Sequence, residues 1–395
     1  MLKFRMWNQT RKKIRHILLA EARKHVLFGR KGPLQGVTNL AQWLSSCPSR
    51  GHFLYRKAPW IQPCQLPRTQ ASFRDPNFER LRDGIPHAET FLAEIRNAYV
   101  TGPSVGVITP DRFLLREVSL EFGFSTEEHG AMRRFFFPEP QRLPGTWVLL
   151  AATGGATFYH HLLEVVPRFH LLQLAGIDIS RVDGWIVNGQ RAEFQRSTWG
   201  ALQMDRAKIV SLDHKKLFQA DRLLVPSLPS HPGHTPPWVV EFLRGRFLKE
   251  IPKKTGRRGL WISRKGAHSR RFIGEEAWLT KIKNVGFQGV QGESLPLRHQ
   301  AELFAGASHI AGPHGAGLSN LVFAVAGTKV TEFFNPRYVN TCYWTLANSA
   351  DLPYTYFLGS SRPGDIPARH GDARGDIQLD TETAKAALSW LADSL

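Results

Sequence analysis

From about residue 100 the chain alternates between two hydrophobic periods. Short, mostly apolar runs, "VGVIT", "TWVLLAA", "GWIVNG", "AKIVSL" and "DRLLVPS", are bounded by turn residues and predict strands. Between them lie segments with apolar residues at helical spacing, clearest in "HHLLEVVPRFHLLQLAG". A Pro-rich connection, "VPSLPSHPGHTPPW" (225–238), interrupts this pattern, and a second alternation begins at Gly259. It reads "LWIS" strand, "GEEAWLTKIKNVG" helix, "FQGVQ" strand, "LRHQAELFAGA" helix, "HIAG" strand, "GLSNLVFAVAG" helix and "KVTEFF" strand. Strand and helix in alternation predict an α/β protein whose parallel sheets are covered on both faces. Two alternations joined by a hinge predict two doubly wound domains, with functional residues just after the strands.

The flanks read differently. Residues 1–31 carry ten basic residues against one acid, Glu21, with apolar residues at near-helical spacing. They predict a basic amphipathic helix, lying either on an anionic membrane or on the body of the protein. Residues 32–95, rich in Pro, Gly and Ser, read as an irregular surface segment within a 1–95 extension. The domains are then 96–240, 241–375, and a terminal helix over 376–395 that packs back on the first domain, with Asp380 or Thr381 as N-cap.

A length of 395 residues suits two domains, and 42% hydrophobic residues suit a packed core. The formal charge of +19 favours anionic partners: nucleic acid, lipid head groups or phosphorylated small molecules. The three cysteines, Cys47, Cys64 and Cys342, form no disulfide framework and fit a reducing compartment. No run of 18 apolar residues and no cleavable leader is read, which points to a cytoplasmic protein.

Four constellations carry candidate chemistry. His314-Gly315-Ala316-Gly317 follows a strand and opens a helix, which suits a phosphate approaching the main chain, or else a tight structural turn. Arg264 follows another strand, and Arg270 and Arg271 precede a helix opening with Glu275 and Glu276. Arginines there suit a bidentate phosphate clamp or a solvated basic loop. His160 and Glu164 share one helix face and suit general-base work, while His160, His161 and Glu164 make a poor zinc signature. Glu332 lies on the strand "KVTEFF", placed to accept ribose hydroxyls or to pair with an arginine. "HPGH" (231–234) has no acidic or thiol neighbour to complete a metal set.

Three segments, "FYHHLLEVVPRF", "ISRKGAHSRRFIGEEAW" and "HQAELFAGASHIAGPHGAGLSNLVFAVAGTKVTEFFNP", resemble in order and spacing the signature segments of glycosyltransferase family 61. The resemblance covers roughly residues 150–345. It implies a GT-B architecture, two Rossmann-like domains facing across a cleft, and inverting, metal-independent transfer from a nucleotide sugar such as UDP-xylose or UDP-N-acetylglucosamine. On that basis Arg264 and Arg270 or Arg271 would hold the diphosphate. His314, Gly315, Ala316 and Gly317 would line the same pocket, Glu275 would lie beside it, Asn320 would support the turn, and Glu332 would bind ribose. His160 or Glu164 would deprotonate the acceptor hydroxyl. Two positions depart from the family pattern: His161 stands where Trp is usual, and Gly274 where Asn is usual.

The expected partners are therefore a nucleotide-sugar donor and a glycan or lipid-linked glycan acceptor, with an anionic membrane surface reached through residues 1–31. Neither a cofactor nor a metal is expected. A role in capsule or lipopolysaccharide assembly at the inner face of the cytoplasmic membrane fits this reading. The alternatives are a basic nucleic-acid-binding protein, for which no zinc finger, basic zipper or RNP-type motif appears, and a non-catalytic scaffold of the same fold.

Overall fold

The computed structural model describes residues 34–69, 74–134, 136–213, 216–248, 258–360 and 375–395. The basic helix expected over 1–31 lies outside the described residues. The protein is mixed α/β, built on two large sheets and a two-stranded ribbon, Trp60–Gln62 with Ile85–His87.

The second sheet follows the sequence pattern closely. Its strands run Phe287–Val290, Gly259–Ile262, His309–Pro313, Lys329–Phe334 and Tyr354–Leu358 in spatial order, all parallel. "GLWI" and "HIAGP" are buried at every position, as strands covered on both faces must be. The helix Glu275–Lys283 opens with two acids and closes with Lys281 and Lys283, the arrangement the helix dipole favours. In chain order the strands stand 2-1-3-4-5, so the winding reverses between Gly259–Ile262 and His309–Pro313. A ligand is expected in the crevice at that reversal.

The first sheet departs from the expected doubly wound form. Its strands Leu217–Pro226, Gln141–Leu150, Gly184–Val187 and Ile209–Ser211 are parallel. On the far side, Tyr99–Thr101, Gly106–Ile108 and Phe113–Leu115 form an antiparallel meander, and Thr90–Arg96 pairs antiparallel with Gly51–Lys57. The connections within the meander are a few residues long, too short for the helical crossover that parallel pairing requires. One apolar cluster spans the two sheets, beside a separate cluster that each sheet has of its own. Leu150, Phe169 and Trp199 belong to the same cluster as Leu260, Phe304 and Phe323. Helix Pro237–Phe247 bridges them, with Arg244 Nε donating to Val322 O at 2.9 Å.

Residues 34–95 are not a separate extension. Gly36–Thr38 and Gly51–Lys57 belong to the first sheet, while Arg68–Thr69 adds a parallel edge strand to the second. Phe78, fully buried, packs against Phe334, Trp344, Tyr354 and Tyr356. The terminal helix Thr381–Asp393 is capped by Asp380, which accepts from the Thr383 amide. It packs on the second sheet rather than the first: Trp390 Nε1 donates to Thr331 Oγ1 at 3.0 Å.

Candidate active site

The C-terminal ends of the parallel strands in both sheets deliver residues to one cleft of about 800 Å³. His160 and Phe122 line it from the first half of the chain, and Arg270, His314, Gly315 and Ala316 from the second. The structure thus brings together residues separated by about a hundred and fifty positions.

On the first-sheet side, strand Gln141–Leu150 leads through a loop to the helix carrying "FYHHLLEVV". The helix opens as one α-turn, Phe158–His160, then widens to a π-turn over His161–Val165, a local form common at functional sites. His160 Nδ1 meets Glu164 Oε2 at 2.7 Å, so the expected pair forms. Gly154 sits with φ +76 beneath the imidazole, where a Cβ would come within 2.6 Å of Cδ2. Its absence lets the ring lie flat against the backbone. With Nδ1 committed to Glu164, Nε2 is the nitrogen left to the cleft. His161 points the other way. It is buried against Trp199 and Phe194, bonds Thr198 Oγ1 at 2.6 Å, and burial holds its pKa down to about 3. It is a neutral core residue.

On the second-sheet side, His314 and Glu332 form a second dyad, Nδ1 to Oε1 at 2.5 Å. The carboxylate is fully buried and its other oxygen accepts from the Tyr354 hydroxyl. This corrects the ribose assignment for Glu332: both oxygens are taken and the group has no access to the cleft. It orients His314, whose ring stacks on Phe334 and meets Tyr338 and Tyr343 edge-on or tilted.

The glycines of "HGAG" also make room for neighbouring side chains. Gly315 has extended backbone, so conformational freedom does not explain it. A Cβ there would stand 1.9 Å from Arg264 Nη1 and 2.7 Å from Cζ. The guanidinium of Arg264 occupies the space a side chain would need. A Cβ at Gly317 would press on Ile262 Cγ2 at 2.8 Å. The following segment, Ala316–Phe323, is a 3-10 helix rather than the expected α-helix. Asn320 Nδ2 bonds Gly317 O at 3.2 Å and Gln300 Oε1 at 2.7 Å, tying this turn to the helix Leu297–Ala305.

The three arginines have distinct fates. Arg264 donates through Nε to Arg270 O at 3.0 Å and through Nη2 to Ser269 O at 2.7 Å. It thereby holds Arg270 in a left-handed conformation, φ +54. Arg270 lines the cleft, its guanidinium over Tyr338 at 5.4 Å. Burial, and then the Arg270 cation, push the Arg264 guanidinium down from its ordinary value. Two cations held together in a half-buried site make a strong demand for an anion. Arg271 lies outside, exposed and paired with Asp376 at 2.7 Å, so it is no part of a clamp. Glu275 is likewise not a cleft residue. It is buried, accepting from Trp261 Nε1 at 2.8 Å, Ser263 Oγ at 3.0 Å and the Arg264 amide at 3.3 Å, and so braces the strand end that carries Arg264.

Several cleft residues escaped the sequence reading. Arg80 and Asn77 come from the segment read as irregular, and Phe122 from the loop before strand Gln141–Leu150. Tyr338 follows strand Lys329–Phe334, where the rule that picked Arg264 also applies, and that rule alone would have found it. Among the described residues, no three His, Cys, Asp or Glu side chains converge as a metal set, and no helix is long and apolar enough to cross a membrane.

No curated protein matches the chain. Residues 158–331 match the family model described as Glycosyltransferase 61, a segment that opens on the helix carrying His160 and Glu164 and contains Arg264, Arg270 and His314. Over these residues, a little under half of the chain, the protein is similar to glycosyltransferase family 61.

Proposed function

We propose that this glycosyltransferase is an inverting, metal-independent enzyme that moves a sugar from a nucleoside diphosphate donor, UDP favoured, to a hydroxyl of a glycan acceptor. The observation that carries the reading is the cleft itself: a His–carboxylate dyad on one wall faces a wall of the Arg270 cation, His314 and the Gly315–Ala316 backbone. We read the two sheets about this cleft as a GT-B-type arrangement.

In the proposed single displacement, His160 Nε2 takes the acceptor hydroxyl proton while Nδ1–H stays on Glu164 Oε2. The acceptor oxygen bonds to the anomeric carbon as its bond to the diphosphate oxygen breaks, and inversion follows from one such step. The charge that develops on the leaving diphosphate meets Arg270 and the amides opening the 3-10 turn, beside the His314 ring. Stabilisation of this kind is usually the largest single contribution. Arg264 acts behind Arg270 as a positioning residue. The acceptor is read as a growing surface polysaccharide, capsule or lipopolysaccharide, with the basic residues 1–31 resting on the inner face of an anionic membrane.

Thermal-shift titration of the full chain with UDP-, GDP- and CMP-sugars tests the donor assignment, with UDP-sugars expected to stabilise most. His160→Ala is expected to lower turnover by about 10²–10⁴-fold while donor binding persists. Arg270→Ala is expected to weaken donor binding. Unchanged transfer by His160→Ala, or stabilisation by none of the nucleotide sugars, would refute the reading.

A further inference from the structure

The loop Glu121–Phe124 carries two of the large hydrophobic side chains that remain exposed among the described residues, Phe122 at 45% and Phe124 at 47%. Single exposed apolar residues are ordinary, but the setting of Phe122 is not. One face of its ring lies on the His160 imidazole, centroids 4.9 Å apart and planes 30° apart. The rest of the ring lines the cleft. The same ring walls a small cavity of about 20 Å³ against Glu164, so it roofs the dyad that would carry the acceptor proton.

The loop is held in place rather than merely left outside. Phe124 N donates to Glu121 O at 3.1 Å, Thr153 Oγ1 donates to Leu120 O, and Glu121 Oε2 accepts from the Gly130 amide at 2.5 Å. Gly123 turns the chain at φ +81 with open space around it, which sends the two phenylalanines outward. Arg133 lies over Phe124 at 4.8 Å and pairs with Glu121 at 3.5 Å. An aromatic ring fixed before its partner arrives loses little entropy on binding.

We propose that Phe122 is the platform of an acceptor subsite that takes a pyranose ring. The sugar lays its face of axial C–H bonds on the exposed face of Phe122, at the border of the cleft that His160 also lines. A flat face bordered by a polar cleft suits a pyranose, which has one apolar face and polar edges. An alkyl chain has no use for such edges. Phe122 lies outside the segment 158–331 that matches the family. Acceptor choice would thus be written in a part of the chain separate from the donor-side residues. The inference rests on the acceptor-side reading of His160, but it can fail or stand independently of the donor assignment.

The test is saturation-transfer NMR of the full chain with the methyl glycosides of glucopyranose, galactopyranose and N-acetylglucosamine. Alongside it, UDP affinity is measured by calorimetry. At least one glycoside is expected to receive saturation, strongest on its axial C–H protons. Phe122→Ala should weaken that glycoside about tenfold, Phe122→Trp should retain it, and UDP affinity should not move. Phe122→Leu keeps the roof over Glu164 but removes the flat face, so it should behave like alanine. Leucine binding as well as phenylalanine, displacement of the glycoside by octanol, or no saturation of any glycoside would each overturn the platform. Loss of UDP binding in the unmodified chain, with glycoside stacking intact, would sink the donor reading and leave the platform standing.

Discussion

Replacing Gly315 by alanine puts one methyl group into the space of another residue's charge. The new Cβ would lie 1.9 Å from Arg264 Nη1, 2.7 Å from Cζ and 2.9 Å from Cδ, so rotation of the terminal group alone cannot relieve it. The whole guanidinium must leave, giving up its bonds to Arg270 O and Ser269 O. Each hydrogen bond to a charged group is worth about 1.5–3 kcal/mol, and the released cation regains part of this as hydration. A net cost of about 2–3 kcal/mol is expected, and most of it should appear where Arg270 acts. Without that support its left-handed backbone has no reason to persist. Donor kcat/KM should fall roughly 30- to 150-fold, since each 1.36 kcal/mol is a factor of ten. The assay is a double-mutant cycle with Arg264→Ala, read in donor kinetics and urea unfolding. In the alanine background the Gly315 substitution should be nearly silent, because the atoms it displaces are gone. Equal losses in both backgrounds, or a wild-type donor kcat/KM for the single variant, would refute the reasoning.

Acid should unfold this protein earlier than its carboxylates alone would require. His161 and His309 are buried neutral with pKa values held down to about 3, chiefly by burial. Their contribution is therefore complete above the ordinary 6.5 and is lost as pH falls through 6.5 toward 3, by about 2 kcal/mol each at pH 5. Urea unfolding from pH 7.5 to 5 checks this, and His309→Gln should flatten the slope. Phe78→Ala should cost about 3–5 kcal/mol, measured the same way, although it lies in a segment that reads as irregular. Arg271→Ala should leave donor kinetics unchanged and shift stability by less than about 1 kcal/mol, because its pair with Asp376 is exposed.

The second sheet was legible because each of its longer strands is a short apolar run between turn residues, and the alternation with helices admits few arrangements. The meander of the first sheet was not, since strands of three residues such as Gly106–Ile108 carry no period. "GLSNLVF" reads as helix by composition. The structure tightens it to 3-10, where Asn320 bonds the carbonyl three residues back and its apolar residues are buried all round. Strand-end and spacing rules singled out His314 and His160, which line the cleft, whereas the burial of Glu332 depended on Tyr354, a partner no local rule names. Gly315 was noticed for close approach, and what the sequence did not name is the neighbour that fills the space of its missing side chain, Arg264, 51 positions earlier.

The segment around residues 65–79 has a consequence for how the protein is made. The Asp75 amide donates to the hydroxyl of Tyr356, 281 residues further on, and Gln65 is bonded in both directions to the helix Cys342–Ser349. At ordinary rates of synthesis this segment waits about 15–60 s on the ribosome before its partners exist. During that time Phe78 and the edge strand Arg68–Thr69 have nothing to cover them. The cationic wall of the cleft lies in the half completed by this late closure. The chain can thus reach its full length before the half that holds Arg270 and His314 is sealed, and its early segment depends on protection until then.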